Sequence, residues 1–404
     1  MQKVLLNLTL CLKAVHLYNS LTDQKELFVP LNKSTVTLYV CGITPYGTTH
    51  LGHAFTYISF DVLIRYLKYL GYNVIYTQNI TDINDRDNDI LERAKQQNIP
   101  WRKLAKVSTN KFLQDMKSLN WTMPTNYLKA SENIDPVIFL IKKLLANGFA
   151  YKANGSVYFN INKDSEYGKL SKLTQKKMLK IAKEFDEDLD NLSKKNPLDI
   201  TLWRAATSNQ QKLIPSFKSP FGKGLPCWHI ECSAISMATL GKQIDIHGGG
   251  IDLIFPHHEA EVAQSEGSSG KKPFVKYWIH TGNIFYQGEK MSKSKGNLVL
   301  VSNLLQKYTA NAIRWLLLFH RHGENWEFEE KELEKAEKTF ARLAKLISQK
   351  KSSVENKALW QKFKNAMDDN LDTPSVLLLI KNTAEKGDIH FAKTALQELG
   401  FVLK

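Results

Sequence analysis

Cysteine is scarce in this chain, with four residues in 404: Cys11, Cys41, Cys227 and Cys232. So few thiols cannot staple a chain of this size, which points them toward metal binding or catalysis in a reducing compartment. Long apolar runs are missing too, none reaching the roughly 18 residues of a membrane span. The apolar opening VLLNLTLCL follows a single lysine and lacks a small-residue cleavage site. It therefore reads as a buried first strand, or as the product of an over-long start, rather than a signal peptide. No internal repeat or heptad array is present, which excludes solenoids and coiled coils.

What is present is ordinary in bulk. A hydrophobic fraction of 43% with 24% charge suits a soluble globular protein. The length allows two domains, or one large domain with appendages. The net charge of +15 fits a polyanionic partner or ligand such as tRNA or ATP, and equally a lysine-rich solvated surface.

Residues 36–41 (VTLYVC) form a β-branched and aromatic run that predicts a buried strand. A Gly/Pro/Thr-rich loop, a helical pattern over 52–70 and a second strand at 74–78 follow. This β-loop-α-β unit predicts an α/β fold with a doubly wound parallel sheet. Helical periodicity returns at 88–118 and 134–148, and Asn154-Gly155 marks a hairpin turn between 151 and 160. Residues 163–196, rich in Lys, Asp, Glu and Ser, read as a solvated or mobile connective segment. A helix after Trp228, a strand at 244–247, a helix across 257–266 and a strand at 275–280 restore the nucleotide fold. The expected organisation is a Rossmann-like domain over 1–300, with a connective insertion at about 100–215, and a helical bundle over 301–404. In the latter, Leu333, Ala336, Phe340, Leu343 and Ile347 form one apolar stripe.

Two motifs suit phosphate chemistry. His50-Leu51-Gly52-His53 follows a strand and opens a helix, so two imidazoles and a helix N-terminus can face a triphosphate. Lys290-Met291-Ser292-Lys293-Ser294 lies between Gly288 and Gly296 and suits a mobile clamp on a pyrophosphate leaving group. Each alone also fits a capping pair or a solvated basic loop. Cys41, Cys232, His257 and Glu261 are standard zinc ligand types, with His257 and Glu261 spaced i, i+4 on one helix face. Spacing alone does not join the four, and a buried free cysteine beside a nucleotide is the plainer alternative.

The motifs CGITPYGTTHLGHA, NITDIND, YGKLS, KNPLDITLW, WHIECSA, DIHGGGIDLIFPHHEAEVAQ and GEKMSKSKGN run in one order along the chain. Together they resemble the cysteinyl-tRNA synthetases, a family of class I aminoacyl-tRNA synthetases, over about residues 15 to 375. AMDDNLDTP (366–374) resembles that family's helical-domain signature. The resemblance implies zinc on Cys41, Cys232, His257 and Glu261, with the substrate thiolate as a further ligand. It places Trp228 on the wall of the cysteine pocket, Asp252 at the substrate ammonium, and Thr44, Thr56, Asn79, Thr81 and Gly250 around the adenylate. His50, His53, Lys290 and Lys293 would serve adenylation, with Lys293 touching ATP, and His229 and His247 would border the site. ATP with Mg²⁺, L-cysteine and tRNA(Cys) are the implied substrates, in a cytoplasmic monomer with no membrane association. A metal that favours a soft thiolate over a hydroxyl would make an editing domain unnecessary, and none is expected. Nor is a catalytic carboxylate dyad expected, since adenylation needs positioning and charge stabilisation more than acid–base work.

Several positions depart from the family pattern. Gly47 stands where relatives usually carry an acidic residue, Asn84 replaces an aspartate, and the DRDN stretch holds about three extra residues. Cys227 replaces a glycine and reads as an inert neighbour or a competing ligand. The chain is also shorter than its relatives, which usually carry a further anticodon-reading segment. That length, with the TPY-x-x-THLGHA loop, also resembles the cysteine:glucosaminyl-inositol ligases of mycothiol synthesis. His247 and Glu261 match the synthetase form instead, and the basic surface suits an RNA acceptor. A non-catalytic RNA-binding paralogue is disfavoured because every adenylation motif is intact.

Overall fold

The computed structural model describes residues 15–45, 49–83, 90–185, 187–206, 215–292, 295–349 and 356–403. Gly47, Asn84, the DRDN stretch, Lys293 and the apolar opening with Cys11 lie outside the described residues.

The core is a five-stranded sheet of β1 (Thr35–Ile43), β2 (Asn73–Ile80), β3 (Asn126–Lys129), β4 (Ile244–Gly250) and β5 (Val275–Thr281). All neighbours are parallel, in the order β5-β4-β1-β2-β3. The chain therefore winds outward in opposite directions from adjacent β1 and β4, and the crevice beyond their carboxyl ends is the switch point where such folds bind ligands. β3 (NYLK) gives too short and polar a pattern to stand out in sequence.

Helix α1 (Leu51–Tyr69) buries Phe55, Tyr57, Phe60 and Ile64 and lies against this sheet. A Cβ at position 248 would sit 2.0 Å from the Phe60 ring, so glycine there lets α1 approach β4 closely. Helices α2 (Trp228–Leu240) and α3 (Glu259–Ser269) are buried nearly all round, as helices inside a large core should be.

The connective region carries a four-stranded antiparallel sheet of Ala150–Ala153, Ser156–Phe159, Ile200–Ala205 and Gly224–Pro226. Its first hairpin turns at Asn154-Gly155, with φ of +48° and +79°, as the dipeptide predicts. The 163–196 segment is largely solvent-facing, as its composition predicts, but it is anchored at a few points. Backbone N–H groups of Gly168 and Ser171 donate to the Glu259 carboxylate at 2.9 and 2.7 Å, and Leu170, Met178 and Ala182 are buried. The buried carboxylate and a few apolar anchors fix a stretch whose composition suggests solvent.

Beyond 300 the regular elements among the described residues are helices except for Trp326–Glu327, which pairs in parallel with Ile284 and Phe285. Leu333, Ala336, Phe340 and Leu343 form the buried stripe predicted for Glu330–Gln349, with Ile347 packed partly buried against it. Buried Arg314, on the Ala310–Leu318 helix, pairs with Asp61 of α1 and donates to the carbonyls of Leu119 and Leu399. That network ties the helical region to the sheet. No described helix is long and apolar enough to cross a membrane.

Candidate active site and metal centre

A cavity of about 720 Å³ opens at the carboxyl ends of β1 and β4. At its floor β1 is irregular: Val40 pairs with Gln78 and Ile43 with Ile80, leaving one extra residue around Cys41-Gly42. Gly42 N–H donates to Asn79 Oδ1 at 2.8 Å, and a Cβ on Gly42 would lie 1.7 Å from the Asn79 carbonyl oxygen. The bulge re-aims Cys41 into the site, and only glycine fits behind it.

The two phosphate motifs meet here. Leu51 N–H donates to the Val299 carbonyl at 2.8 Å and Val301 N–H to that of Thr49 at 2.9 Å, joining the loop before α1 to the segment after Lys290–Ser294. His50 caps α1, its Nδ1 accepting from His53 N–H at 3.3 Å, and the two rings stack 3.7 Å apart. That bond leaves the proton of a neutral His50 on Nε2. Burial, with His53 and Lys290 beside it, holds His50 well below the usual imidazole range. Burial lowers His53 to about 4, partly offset by Asp252. Both are therefore neutral N–H donors at pH 7, and among the described residues positive charge at this mouth comes from Lys290, Arg93 and the helix end.

Lys290, Thr44, Thr56, Gly250, Asp252 and Trp228 also line the cavity. Thr56 Oγ1 bonds Thr281 Oγ1 at 2.8 Å. Asn79 and Thr81, expected around the adenylate, do not line it. Asn79 is buried, spending Oδ1 on Gly42 and Nδ2 on Thr81 Oγ1 at 3.1 Å, so the pair braces the bulge from behind. Arg93, on the Ile90–Gln96 helix, lines the cavity unforeseen, because nothing in its helical pattern sets it apart.

Below the cavity lies the metal-ligand cluster. Ligand atoms of Cys41, Cys232, His257 and Glu261 all lie within 4.8 Å of one another, and all four residues are buried. The regular helix begins only at Glu259; His257 sits in a wide kinked turn before it, rather than on the helix itself. The spacing still works, since His257 Nε2 is 3.1 Å from Glu261 Oε1. His257 Nε2 makes no hydrogen bond at that contact, and Glu261 Oε2 has no partner. Buried polar atoms left this way are costly unless a further charge meets them, and the donor set of two sulfurs, an imidazole and a carboxylate fits zinc.

The protonation pattern agrees. Burial alone would raise Cys232, but the Cys41 hydrogen bond and His257 outweigh it and bring the thiol down to about 6. Burial would lower His257, yet Cys232 and Glu261 raise it to about 9. Burial would raise Glu261, while His247 and His257 hold it near about 2. Cys41 is pushed up, first by burial and then by Cys232 and Glu261. A cation bound here would displace the protons on His257 and Cys41.

Outer partners orient the ligands. His257 Nδ1 meets His229 Nδ1 at 2.8 Å, and His229 Nε2 meets Glu187 Oε1 at 3.0 Å. A consistent tautomer set runs Glu187 ← His229 ← His257, leaving His257 Nε2 aimed at the cluster. His247 and His258 form a second group with Cys41 and Glu261, and His258 Nδ1 meets His280 Nε2 at 2.7 Å. Cys41, shared by both groups, lines the cavity, and the group holding both thiols also adjoins it through Trp228, whose ring stacks on His257 at 4.2 Å. His258 and His280 escape sequence reading because a doublet and a strand-end histidine look structural. Cys227 is buried just before α2 and belongs to neither group.

The tRNA synthetases class I (C) catalytic domain family matches residues 27–338. A cysteine–tRNA ligase of Dehalococcoides mccartyi is 44% identical over 371 residues, covering 90% of this chain and 79% of its own. One of Thermodesulfovibrio yellowstonii is 39% identical over 426 residues, covering 96% of this chain and 85% of its own. The fold is similar to Mycobacterium tuberculosis methionyl-tRNA synthetase bound by methionyl-adenylate, with TM-score 0.61, 14% identity, and coverage of 92% of this chain and 86% of that one. The chain belongs to the cysteinyl-tRNA synthetase family of class I aminoacyl-tRNA synthetases, and is an enzyme of that ligase class.

Proposed function

We propose that this enzyme activates L-cysteine with ATP and transfers it to tRNA(Cys) in the cytoplasm. The observation that carries the reading is a buried two-thiol, imidazole and carboxylate set directly beneath a class I nucleotide cavity. Cys41, Cys232, His257 and Glu261 would hold zinc, which when bound supplies a soft centre that favours a cysteine thiolate over a serine hydroxyl.

Around that centre, Trp228 walls the cysteine side chain and Asp252 takes its ammonium. Thr44, Thr56 and Gly250 line the adenylate, while Asn79 and Thr81 support it through Gly42. His50 and His53 donate N–H groups to the phosphates of Mg²⁺-bound ATP, and the α1 N-terminus adds its field. In the first step a cysteine carboxylate oxygen bonds to the α-phosphorus as the bond to the pyrophosphate oxygen breaks. Lys290 and Lys293 offset the charge that builds on the departing pyrophosphate. In the second step a hydroxyl of the terminal tRNA ribose attacks the carbonyl carbon and AMP leaves. Both steps are accelerated by positioning and fixed charge, so neutral histidines at the mouth suit them.

The test supplies the purified enzyme with ATP and labelled cysteine, measuring cysteine-dependent ATP–pyrophosphate exchange and label transfer to tRNA and, separately, to glucosaminyl-inositol. Exchange with label on tRNA is expected. Label on the sugar alone would overturn the acceptor, and absence of exchange would overturn the enzyme reading altogether.

A further inference from the structure

A second cavity, of about 600 Å³, lies on the far side of the Ile90–Gln96 helix from the adenylation cavity. Arg93 of that helix lines the adenylation cavity, whereas Leu91, Ala94 and Lys95 line the second one. The opposite walls come from Trp101 and Arg102, which begin the next helix, and from Phe217 beside the connective sheet.

Among the described residues its lining has a distinct chemistry: two cations, Lys95 and Arg102, two aromatic rings, Trp101 and Phe217, the amide of Asn98, and no carboxylate. Arg102 Cζ stands 4.6 Å over the Trp101 ring, a cation–π arrangement that holds the guanidinium at the cavity. Both cations are exposed, and neither pairs with a carboxylate among the described residues. A flat ring system meets a base face, and an uncompensated cation pair meets phosphate. Together they are recognition elements for a single-stranded nucleotide: the cations do not suit an apolar peptide, and the rings have no role for an acidic small molecule without one. Only this one short helix stands between the second cavity and the adenylation cavity.

We propose that this cavity binds an unpaired nucleotide of the tRNA 3′ end, a few positions before the terminal ribose that enters the adenylation cavity. The base lies against Trp101 and Phe217, and its phosphate lies between Lys95 and Arg102. This rests on tRNA being the acceptor, and it adds where the single strand is gripped on its way to the reacting ribose.

The experiment compares wild type with the double variant Lys95→Ala/Arg102→Ala and with Trp101→Ala and Trp101→Phe. Readouts are cysteine-dependent pyrophosphate exchange, KM for tRNA, and the salt dependence of tRNA binding. The double variant, altering exposed side chains only, should keep exchange within about twofold while raising KM for tRNA about tenfold. Its log–log salt slope should flatten by about 0.7 for each phosphate that the enzyme no longer neutralises. Trp101→Ala should raise KM for tRNA about tenfold, with Trp101→Phe close to wild type, because any aromatic face can stack. The differences in binding should vanish on tRNA lacking its unpaired 3′ end. Wild-type charging with unchanged KM in the variants would overturn the cavity assignment alone, whereas failure of wild type to charge tRNA would overturn the acceptor reading beneath it. Loss of exchange in the double variant, persistence of the effect on truncated tRNA, or equal affinity of wild type for cytidine monophosphate and a 3′-end tetranucleotide would each overturn it too.

Discussion

Lys290 Nζ donates to Asp252 Oδ2 at 2.8 Å, so the first lysine of the phosphate loop is paired with the carboxylate proposed to hold the substrate ammonium. The two side chains are 40% and 38% exposed, and ion pairs so exposed contribute about 1 kcal/mol or less. Either partner is thus free to be exchanged: a substrate ammonium for Lys290, a phosphate for Asp252. Asp252→Asn keeps the shape and removes the charge. It should raise KM for cysteine about 10- to 100-fold, equivalent to about 1.4–2.7 kcal/mol, in pyrophosphate-exchange kinetics. A cysteine KM that stays put while KM for ATP changes would mean Asp252 serves only to restrain Lys290.

The metal set makes a sharper prediction. Cys232→Ser replaces a thiol that the site already holds down near about 6 with a hydroxyl that stays protonated. Zinc content, measured by metal analysis, and cysteine activation should be lost together. Cys227→Ser should keep both, because Cys227 lies in neither ligand group. Retention of zinc in Cys232→Ser would refute the assigned set, and Cys227 would then be the first residue to test.

His229 touches the metal set only through His257, accepting at Nδ1 and fixing which nitrogen faces the ligands. His229→Ala should therefore weaken zinc binding by about 10- to 100-fold, the usual effect of removing an outer-sphere partner. Competition against a chromophoric chelator reads that affinity directly. His229→Gln, which restores an acceptor, should recover part of it; equal weakening in both variants would point to packing instead.

Much of this site is legible in the sequence because its chemistry sits in contiguous motifs. Cys41 lies near the carboxyl end of β1, His50 and His53 at the start of α1, and Lys290 beside Gly288, and the β-loop-α-β pattern places such positions at the carboxyl edge of the sheet. Spacing could not join the four proposed ligands; the sheet order brings them together, by setting β1 beside β4. What stays hidden depends on tertiary contacts. Asn79 and Thr81 sit in a signature motif yet turn behind Gly42, since a buried bulge needs its N–H satisfied more than the cavity needs an amide. Arg93 carries no local mark, and the anchoring of the 163–196 segment shows only in Glu259 accepting its backbone N–H groups.

Acid should weaken the fold in a calculable way through His322, which is 8% exposed and lowered to about 4 by burial and then by Arg321. In the unfolded chain its imidazole titrates near the ordinary value of 6.5. Between those values the unfolded state binds the proton and the native state does not, so stability is fully present above about pH 6.5 and falls as pH drops toward 4. At pH 5 the deficit is about 2 kcal/mol, from roughly 1.4 kcal/mol per pH unit over about 1.5 units. His53 and His280, lowered to about 4 and about 3, act in the same direction, so the His322 share must be isolated by substitution. Urea midpoints for wild type and His322→Asn at pH 7.5 and 5.0 accomplish this: the variant should lose less stability on acidification, by about 2 kcal/mol. Equal losses in the two proteins would mean that His322 is hydrated in the native state and that its burial carries no proton-linked cost.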